Sequence, residues 1–363
     1  MDGAEPAARR RAGGAPRRVA CLGQRAARRA APARRARAAG NGVTPSHLAL
    51  GAGGEFDRLR AIFRALGRGA RDLGDDCALL RLGRTTLALS SDASLEGVHF
   101  RTDWLSFQEI GWRAGAAALS DLAAEGATPL GVLVSLGVPA SGRRAARNAD
   151  PAAEIMRGVA AVAKRVDARV LGGDLTRSPR YLVDVCAIGT VERPVRRSGA
   201  RPGDGLWVTG RLGGAGLGLA RLRAGRGVAG VVRRRFARPE PRIAAGRWLA
   251  RRGARAMIDL SDGLAGDAGH LAAASRVRVA LELERIPCWP GVAPLAAARS
   301  GEEYELLVAL PRRFGAREAR AFRAATRLAL TRIGACTAGR GVRMTDHGRR
   351  LTPPPGFDHF PAR

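Results

Sequence analysis

Carboxylates set among glycines and serines are the residues whose types and spacing could do chemistry here. They fall in five groups: Gly74-Asp75-Asp76, Ser90-Ser91-Asp92, Ser120-Asp121, Gly172-Gly173-Asp174 and Asp259-Leu260-Ser261-Asp262-Gly263. Hard oxygen ligands in this number suit Mg²⁺, which takes a carboxylate or two per ion and completes its shell with water and phosphate. Neighbouring glycines let backbone N–H groups approach phosphate oxygens. Taken singly, most of the groups have a plain structural explanation. Asp in Gly-Asp-Asp is an ordinary turn residue. Asp262, ahead of a helix, is an ordinary N-cap. His99 alone reads as a surface or core histidine. Asp121 resists such an account, because an acid among Ala and Leu costs free energy unless paired. Five aspartate groups of one kind together point to a metal-and-phosphate site.

Absences narrow the chemistry. Lys164 is the only lysine and lies in a helical Ala-Val-Ala-Lys-Arg. A Walker ATPase, a protein kinase and a pyridoxal enzyme each need a lysine in a defined setting, and none is present. The run Gly210–Gly218 follows a strand and opens a helix, yet its spacing is loose. No acid ends a strand about 20 residues on, so it is not a dinucleotide fingerprint. Its glycines ease a tight turn or line a phosphate. The five cysteines, Cys21, Cys77, Cys186, Cys288 and Cys336, form no C-x-x-C pair. That argues against a disulfide framework or a zinc site and suits a reducing cytoplasm.

The elements that must position the aspartates alternate between strand and helix, so the class is α/β or α+β. Residues 56–66 place Phe56, Leu59, Ile62, Phe63 and Leu66 on one helical face. Strands are expected at 79–82, 85–90, 130–138, 169–172 and 181–191, with helices at 106–125 and 151–166. The polar, turn-rich stretch 193–204 marks a domain boundary. Beyond it the pattern gives strands at 205–209, 255–260, 277–284, 304–310 and 329–333. Helices follow Gly213 and span 241–251, 262–274 and 315–326. Carboxylates at strand ends and helix starts then converge at one sheet edge.

The chain has 363 residues and a formal net charge of +30, enough length for two domains. Eleven arginines in residues 1–50 face only Asp2 and Glu5. That Ala/Arg-rich stretch has no apolar period and reads as a disordered extension. The remaining arginines are dispersed, with no aromatic-interleaved basic stripe, so nucleic-acid binding is not expected. No apolar run is long enough to span a bilayer, so the chain reads as soluble.

Ordered motifs carry a resemblance. These are Gly54-Glu55-Phe56, Leu73-Gly74-Asp75-Asp76, Ser91-Asp92 with Glu96-Gly97-Val98-His99-Phe100, and Leu119-Ser120-Asp121-Leu122-Ala123 with Gly126-Ala127-Thr128-Pro129. They continue through Gly172-Gly173-Asp174-Leu175-Thr176-Arg177, Arg197-Ser198-Gly199-Ala200-Arg201-Pro202-Gly203-Asp204 and Ile258-Asp259-Leu260-Ser261-Asp262-Gly263-Leu264. Gly301-Glu302-Glu303-Tyr304-Glu305-Leu306 and Gly356-Phe357-Asp358-His359-Phe360 complete the series. In this order, from residue 54 to the C-terminus, the sequence resembles the thiamine-monophosphate kinases.

The resemblance implies a two-domain AIR-synthetase-like fold, with an N-terminal domain over 51–192 and a C-terminal α+β domain over 193–363. It also implies a cytoplasmic homodimer formed through the N-terminal strands. The implied reaction is Mg²⁺-dependent direct transfer of the ATP γ-phosphoryl group to thiamine monophosphate, giving thiamine diphosphate and ADP. By the same resemblance Asp76, Ser90, Ser91, Asp92, Asp121, Asp174, Asp259 and Asp262 hold several Mg²⁺ ions, with Asp92, Asp121 and Asp174 catalytic. Gly173, Asp174, Arg197 and Ser261 contact ATP, and His99, Glu302 and Phe357 contact thiamine monophosphate.

Three positions depart from the family pattern. Glu303 stands where Asp is usual, Gly214 replaces a usual Asp, and Ser91 replaces a common Thr while keeping its hydroxyl. The rival readings are another ATP-dependent enzyme of the same superfamily and a basic nucleic-acid-binding protein. The superfamily siblings would need a catalytic Lys and Cys, or a C-terminal Cys, which the chain lacks.

Overall fold

The computed structural model describes residues 47–140 and 149–360. All but the last four residues of the expected 1–50 extension lie outside that description, as does Cys21.

Five strands of the first half build one sheet. They are β1 (Ala78–Leu82), β2 (Thr85–Leu95), β3 (Thr128–Val138), β4 (Arg169–Arg177) and β5 (Leu182–Val191). Their order is β1-β2-β5-β3-β4, with only the β3–β4 pair parallel. Helices α2 (Phe107–Ala124) and α3 (Pro151–Arg165) cover one face, and α1 (Gly54–Leu66) precedes the sheet.

The sequence fixes the start of α2 locally. Ser106 Oγ accepts the Glu109 N–H at 3.2 Å, and the Glu109 carboxylate accepts the Ser106 N–H at 3.0 Å, a reciprocal capping box. Fifteen of its residues are buried, so α2 is packed all round, as a core helix must be. Against it lie α3, the sheet and α6 (Ile243–Arg251). The α2–α3 crossing brings backbone onto backbone. A Cβ at Gly111 would run into the Ile155 carbonyl, and one at Gly158 into the Gln108 carbonyl. Small residues here keep the helix carrying Asp121 close to its neighbours.

The second half builds a seven-stranded sheet. Its strands are β6 (Gly205–Thr209), β7 (Ala256–Asp259), β8 (Arg278–Glu282), β9 (Leu306–Leu310), β10 (Leu330–Thr337), β11 (Gly341–Asp346) and β12 (Arg349–Leu351). The order is β12-β11-β8-β10-β6-β9-β7, with only β8–β11 parallel. Strands β6, β7 and β9 are buried throughout, and apart from Thr209 and Asp259 at their ends they read as short apolar runs. The helices are α4 (Gly214–Arg223), α5 (Gly230–Ala237), α6, α7 (Leu264–Ser275), α8 (Pro294–Arg299) and α9 (Ala316–Thr326). Among the described residues no helix is long and apolar enough to cross a membrane.

Several elements differ from the expectation. Strand β2 does not stop at Ser90, because β5 pairs with it residue by residue as far as Leu95. Strand β4 runs through Gly173 and Asp174 to Arg177, paired with β3. Backbone pairing is indifferent to the polarity that had marked these strand ends. Helices α5 and α8 and strands β11 and β12 were not expected at all. The run Arg233–Arg235 hides the apolar spacing of α5. Helix α1 forms where expected, but of its apolar face only Phe63 is buried.

Candidate functional site

Alternation along β2 decides which side chains meet, since successive residues face opposite sides of a sheet. Ser90 and Asp92 face α2, where the Ser90 hydroxyl donates to the Asp121 carboxylate. Ser91 faces the other side and donates to Asp184 Oδ1 at 3.0 Å. Asp76 arrives from the turn before β1 and Asp259 from the end of β7. One carboxylate oxygen from each of Asp76, Asp121 and Asp259 lies within 4.8 Å of the other two.

Such a cluster is costly unless something neutralises it. Arg197 supplies part of the compensation: its guanidinium donates to Asp76 at 2.7 Å and its backbone N–H to Asp75 at 2.9 Å. Asp76 Oδ2, Asp75 Oδ2 and Arg197 Nε remain buried with no partner among the described residues. Burial, then Asp259 and Asp76, pushes the Asp121 carboxyl well above its ordinary range. Burial, then Asp76, carries Asp259 to about 7. Burial, then Glu302, Asp184 and Asp262, carries Asp92 to about 6. Orphaned buried oxygens on converging carboxylates fit a hard divalent cation.

Asp262 is not spent on helix capping. The N-cap of α7 is Gly263, with no side-chain bond. Burial, then Glu55, raises Asp262 to about 6. Its carboxylate lies within reach of Asp267 and His270. The backbone of this loop ties the acidic centre to two further residues. Ser261 O accepts the Glu302 N–H at 2.7 Å, and Asp262 O accepts the Phe357 N–H at 2.9 Å. Glu302 is held in turn by buried Arg113 at 2.5 Å. His99 Nδ1 accepts the Leu95 N–H at 3.0 Å. Its ring stands 5.0 Å from that of His359, which lies 4.8 Å from Phe357. Burial, then His359, lowers the His99 pKa and so disfavours the charged imidazolium. Asp358 accepts the N–H groups of Gly54 and Glu55 at 2.6 and 3.1 Å, so the C-terminal segment caps α1.

Asp76, Ser90, Asp92, Asp121, Asp259 and Asp262 therefore assemble with Arg197, Ser261, His99, Glu302 and Phe357. The side chains of Ser91 and Asp174 do not join them. Asp174 pairs in register with Ser135, and Ser135 with Asp184. All three share the outer face with Ser91, across the sheet from Asp121. Because β2 and β4 continue as strands, alternation sends these two side chains outward. Gly173 lies in the row of Val134 and Asp92, and a Cβ there would collide with the Val134 carbonyl. Sequence reasoning passed over Arg113, His359, Asp184 and Glu125. His359 sat inside a quoted motif; the other three carried no local signal.

Within the Gly210–Gly218 loop, the start of α4 is not open to a phosphate. Glu303 accepts the N–H groups of Gly213 and Ala215 at 2.8 and 3.1 Å, so a carboxylate already occupies the start of α4. Glu303 is itself held by Arg235 at 2.9 Å.

Comparison with known proteins gives the family. Residues 74–191 match the family model for the AIR synthase related protein, N-terminal domain, and residues 201–347 that for the C-terminal domain. The thiamine-monophosphate kinase of Caulobacter vibrioides is 35% identical over 323 residues, covering 82% of this chain and 88% of that protein. The chain belongs to the thiamine-monophosphate kinase family. Among solved structures of this family, the one described as AaThiL complexed with AMPPCP and TMP superposes with a TM-score of 0.72 at 29% identity, covering 84% of this chain and 97% of that one. The thiamine-monophosphate kinase of Stenotrophomonas maltophilia superposes at 0.67 with 33% identity, over 81% and 96% of the two chains. Against the family pattern, Glu303 and Gly214 meet in space. The longer acid reaches the helix start that Gly214 leaves without a carboxylate of its own.

Proposed function

We propose that the inner carboxylate centre transfers the γ-phosphoryl group of ATP to the phosphate of thiamine monophosphate, giving thiamine diphosphate and ADP. The convergence of Asp76, Asp121 and Asp259 beside the Ser261–Asp262 loop carries this reading. Mg²⁺ ions held by Asp76, Ser90, Asp92, Asp121, Asp259 and Asp262 would offset the charge of two polyphosphate-bearing substrates. Arg197, Gly173 and Ser261 serve the nucleotide side. His99, Glu302 and Phe357 serve the thiamine side, with Arg113 holding Glu302 in place.

An acceptor phosphate oxygen attacks the γ-phosphorus as the bond to the β–γ bridging oxygen breaks. Positioning and charge neutralisation suffice, so no covalent enzyme intermediate is needed. Ser91 and Asp174, on the outer face, stand outside this proposal.

The same reading divides the chain into domains at 51–192 and 193–363 and places it in the cytoplasm, where ATP and the phosphate acceptor are available. It also makes the protein a homodimer across the uncovered face of the first sheet. There Leu80, Leu82 and Leu133 are 52%, 54% and 40% exposed, an apolar face of the kind that a second copy covers.

The experiment is incubation of the purified chain with ATP, Mg²⁺ and thiamine monophosphate. Thiamine diphosphate and ADP are expected in equal amounts. A folded protein that yields no product sinks the assignment.

A further inference from the structure

A cavity of about 700 Å³ lies beside α5, and none of the carboxylate-centre residues lines it. That volume suits a ligand of nucleotide size. Its wall includes two indoles, Trp112 and Trp289, and the guanidinium groups of Arg211, Arg234 and Arg238. Arg235 and Arg242 complete the basic lining, but both are already committed to acids. Arg235 bonds Glu303 and Glu305 at 2.9 and 3.1 Å, and Arg242 bonds Glu305 at 2.5 Å. Arg211, Arg234 and Arg238 are exposed and have no carboxylate partner among the described residues. Arg238 lies 5.8 Å from the centre of the Trp112 ring.

Five arginines against Glu240 and Glu305 leave an excess of three positive charges on the lining. Planar guanidiniums free of acids match phosphate oxygens, and indoles offer faces to a planar ring. The same charge repels a thiazolium, so the cavity does not suit thiamine monophosphate.

We propose that this cavity is a second, metal-independent site for a nucleoside polyphosphate. The phosphates rest on Arg211, Arg234 and Arg238, and the base packs against Trp112 and Trp289. The site touches the catalytic side through Arg235 and Glu303, whose neighbour Glu302 belongs to the proposed acceptor site.

Calorimetric titration of the full chain with ADP in EDTA tests it. Without a divalent cation the carboxylate centre repels polyphosphate, whereas the arginine cavity does not. One ADP per chain is expected, with affinity falling at least tenfold in the Arg234→Ala/Arg238→Ala variant. Both residues are exposed, so the fold survives the change, and circular dichroism checks this. Trp289→Leu is expected to weaken ADP while leaving inorganic pyrophosphate unchanged. Absence of saturable ADP binding in EDTA overturns the proposal. So does binding that is equal in the double variant, which would trace to other arginines. None of these readouts depends on turnover, so the kinase assignment stands or falls separately.

Discussion

At the scale of single residues, the centre is a set of acids that strain against one another until a cation joins them. Asp121→Asn keeps the shape and the Ser90 contact while removing one charge. Turnover is expected to fall by about 10²–10³ or more, while the metal-free protein becomes more stable through relief of like-charge repulsion. Steady-state kinetics and urea unfolding in EDTA read the two effects, and unchanged turnover would remove Asp121 from the site. Glu125, beside the same acids but outside the proposed ligand set, tests the same physics in metal-free protein. It is fully buried, with neither carboxyl oxygen partnered among the described residues. Burial, then Asp75 and Asp76, lifts it from its usual 4.5 to about 9. The native state then holds a proton that the unfolded chain gives up, so stability falls as pH rises from about 4.5 through about 9. That is the sign for a raised carboxyl. Glu125→Gln is expected to match wild type at pH 4.5 and to exceed it by on the order of 2–4 kcal/mol at pH 8. Parallel unfolding curves across that range would refute this. The aspartates were legible as a set: most have a plain local explanation singly, but five groups of one kind recur along the chain. Arg113 was not, since its partner Glu302 lies 189 positions away and an arginine in so basic a chain carries no signal of its own.

At the scale of elements, α2 does most of the positioning. It carries Asp121 and Arg113, is started by its capping box, and touches α3 through glycines. Gly111→Ala forces a methyl into the Ile155 carbonyl and is expected to cost about 1–3 kcal/mol in urea unfolding, the range for overpacked cores. Activity per folded molecule should be retained. A neutral or stabilising result would mean that the two helices do not meet as closely as described. Helix α2 was readable in advance, because a capping Ser, a Glu three residues on and an unbroken Ala-rich stretch agree with one another. Strands β2 and β4 were readable only in part. Their continuation through Ser91-Asp92 and Gly173-Asp174 depends on partner strands distant in sequence, which no local pattern encodes. That extension, five residues beyond each expected strand end, turns the Ser91 and Asp174 side chains to the outer face of the sheet. Helix α5 was invisible because its inward face includes Arg235, whose burial is made tolerable only by Glu303 and Glu305.

At the scale of the molecule, the uncovered face of the first sheet is the least finished surface. Leu80→Glu with Leu133→Glu places two charges on it without touching the core beneath. Sedimentation equilibrium is expected to shift from dimer to monomer. A wild-type chain that already sediments as a monomer, or a double variant that stays dimeric, would exclude this face as the interface. The α/β or α+β class was legible from alternation of strand and helix, whereas the strand order was not, because pairing across the second sheet skips along the chain. One contact links distant ends of the described fold: Asp358 seated on the first backbone N–H groups of α1. Proteolytic trimming of the final half-dozen residues therefore acts on position 54 as well as on position 358. It strips His359 from its place beside His99 while leaving both sheets intact. Ageing of stored enzyme at this end would thus show as a rising KM for the thiamine substrate with only a small fall in melting temperature from the lost α1 cap, and a fusion partner attached there would mimic such damage.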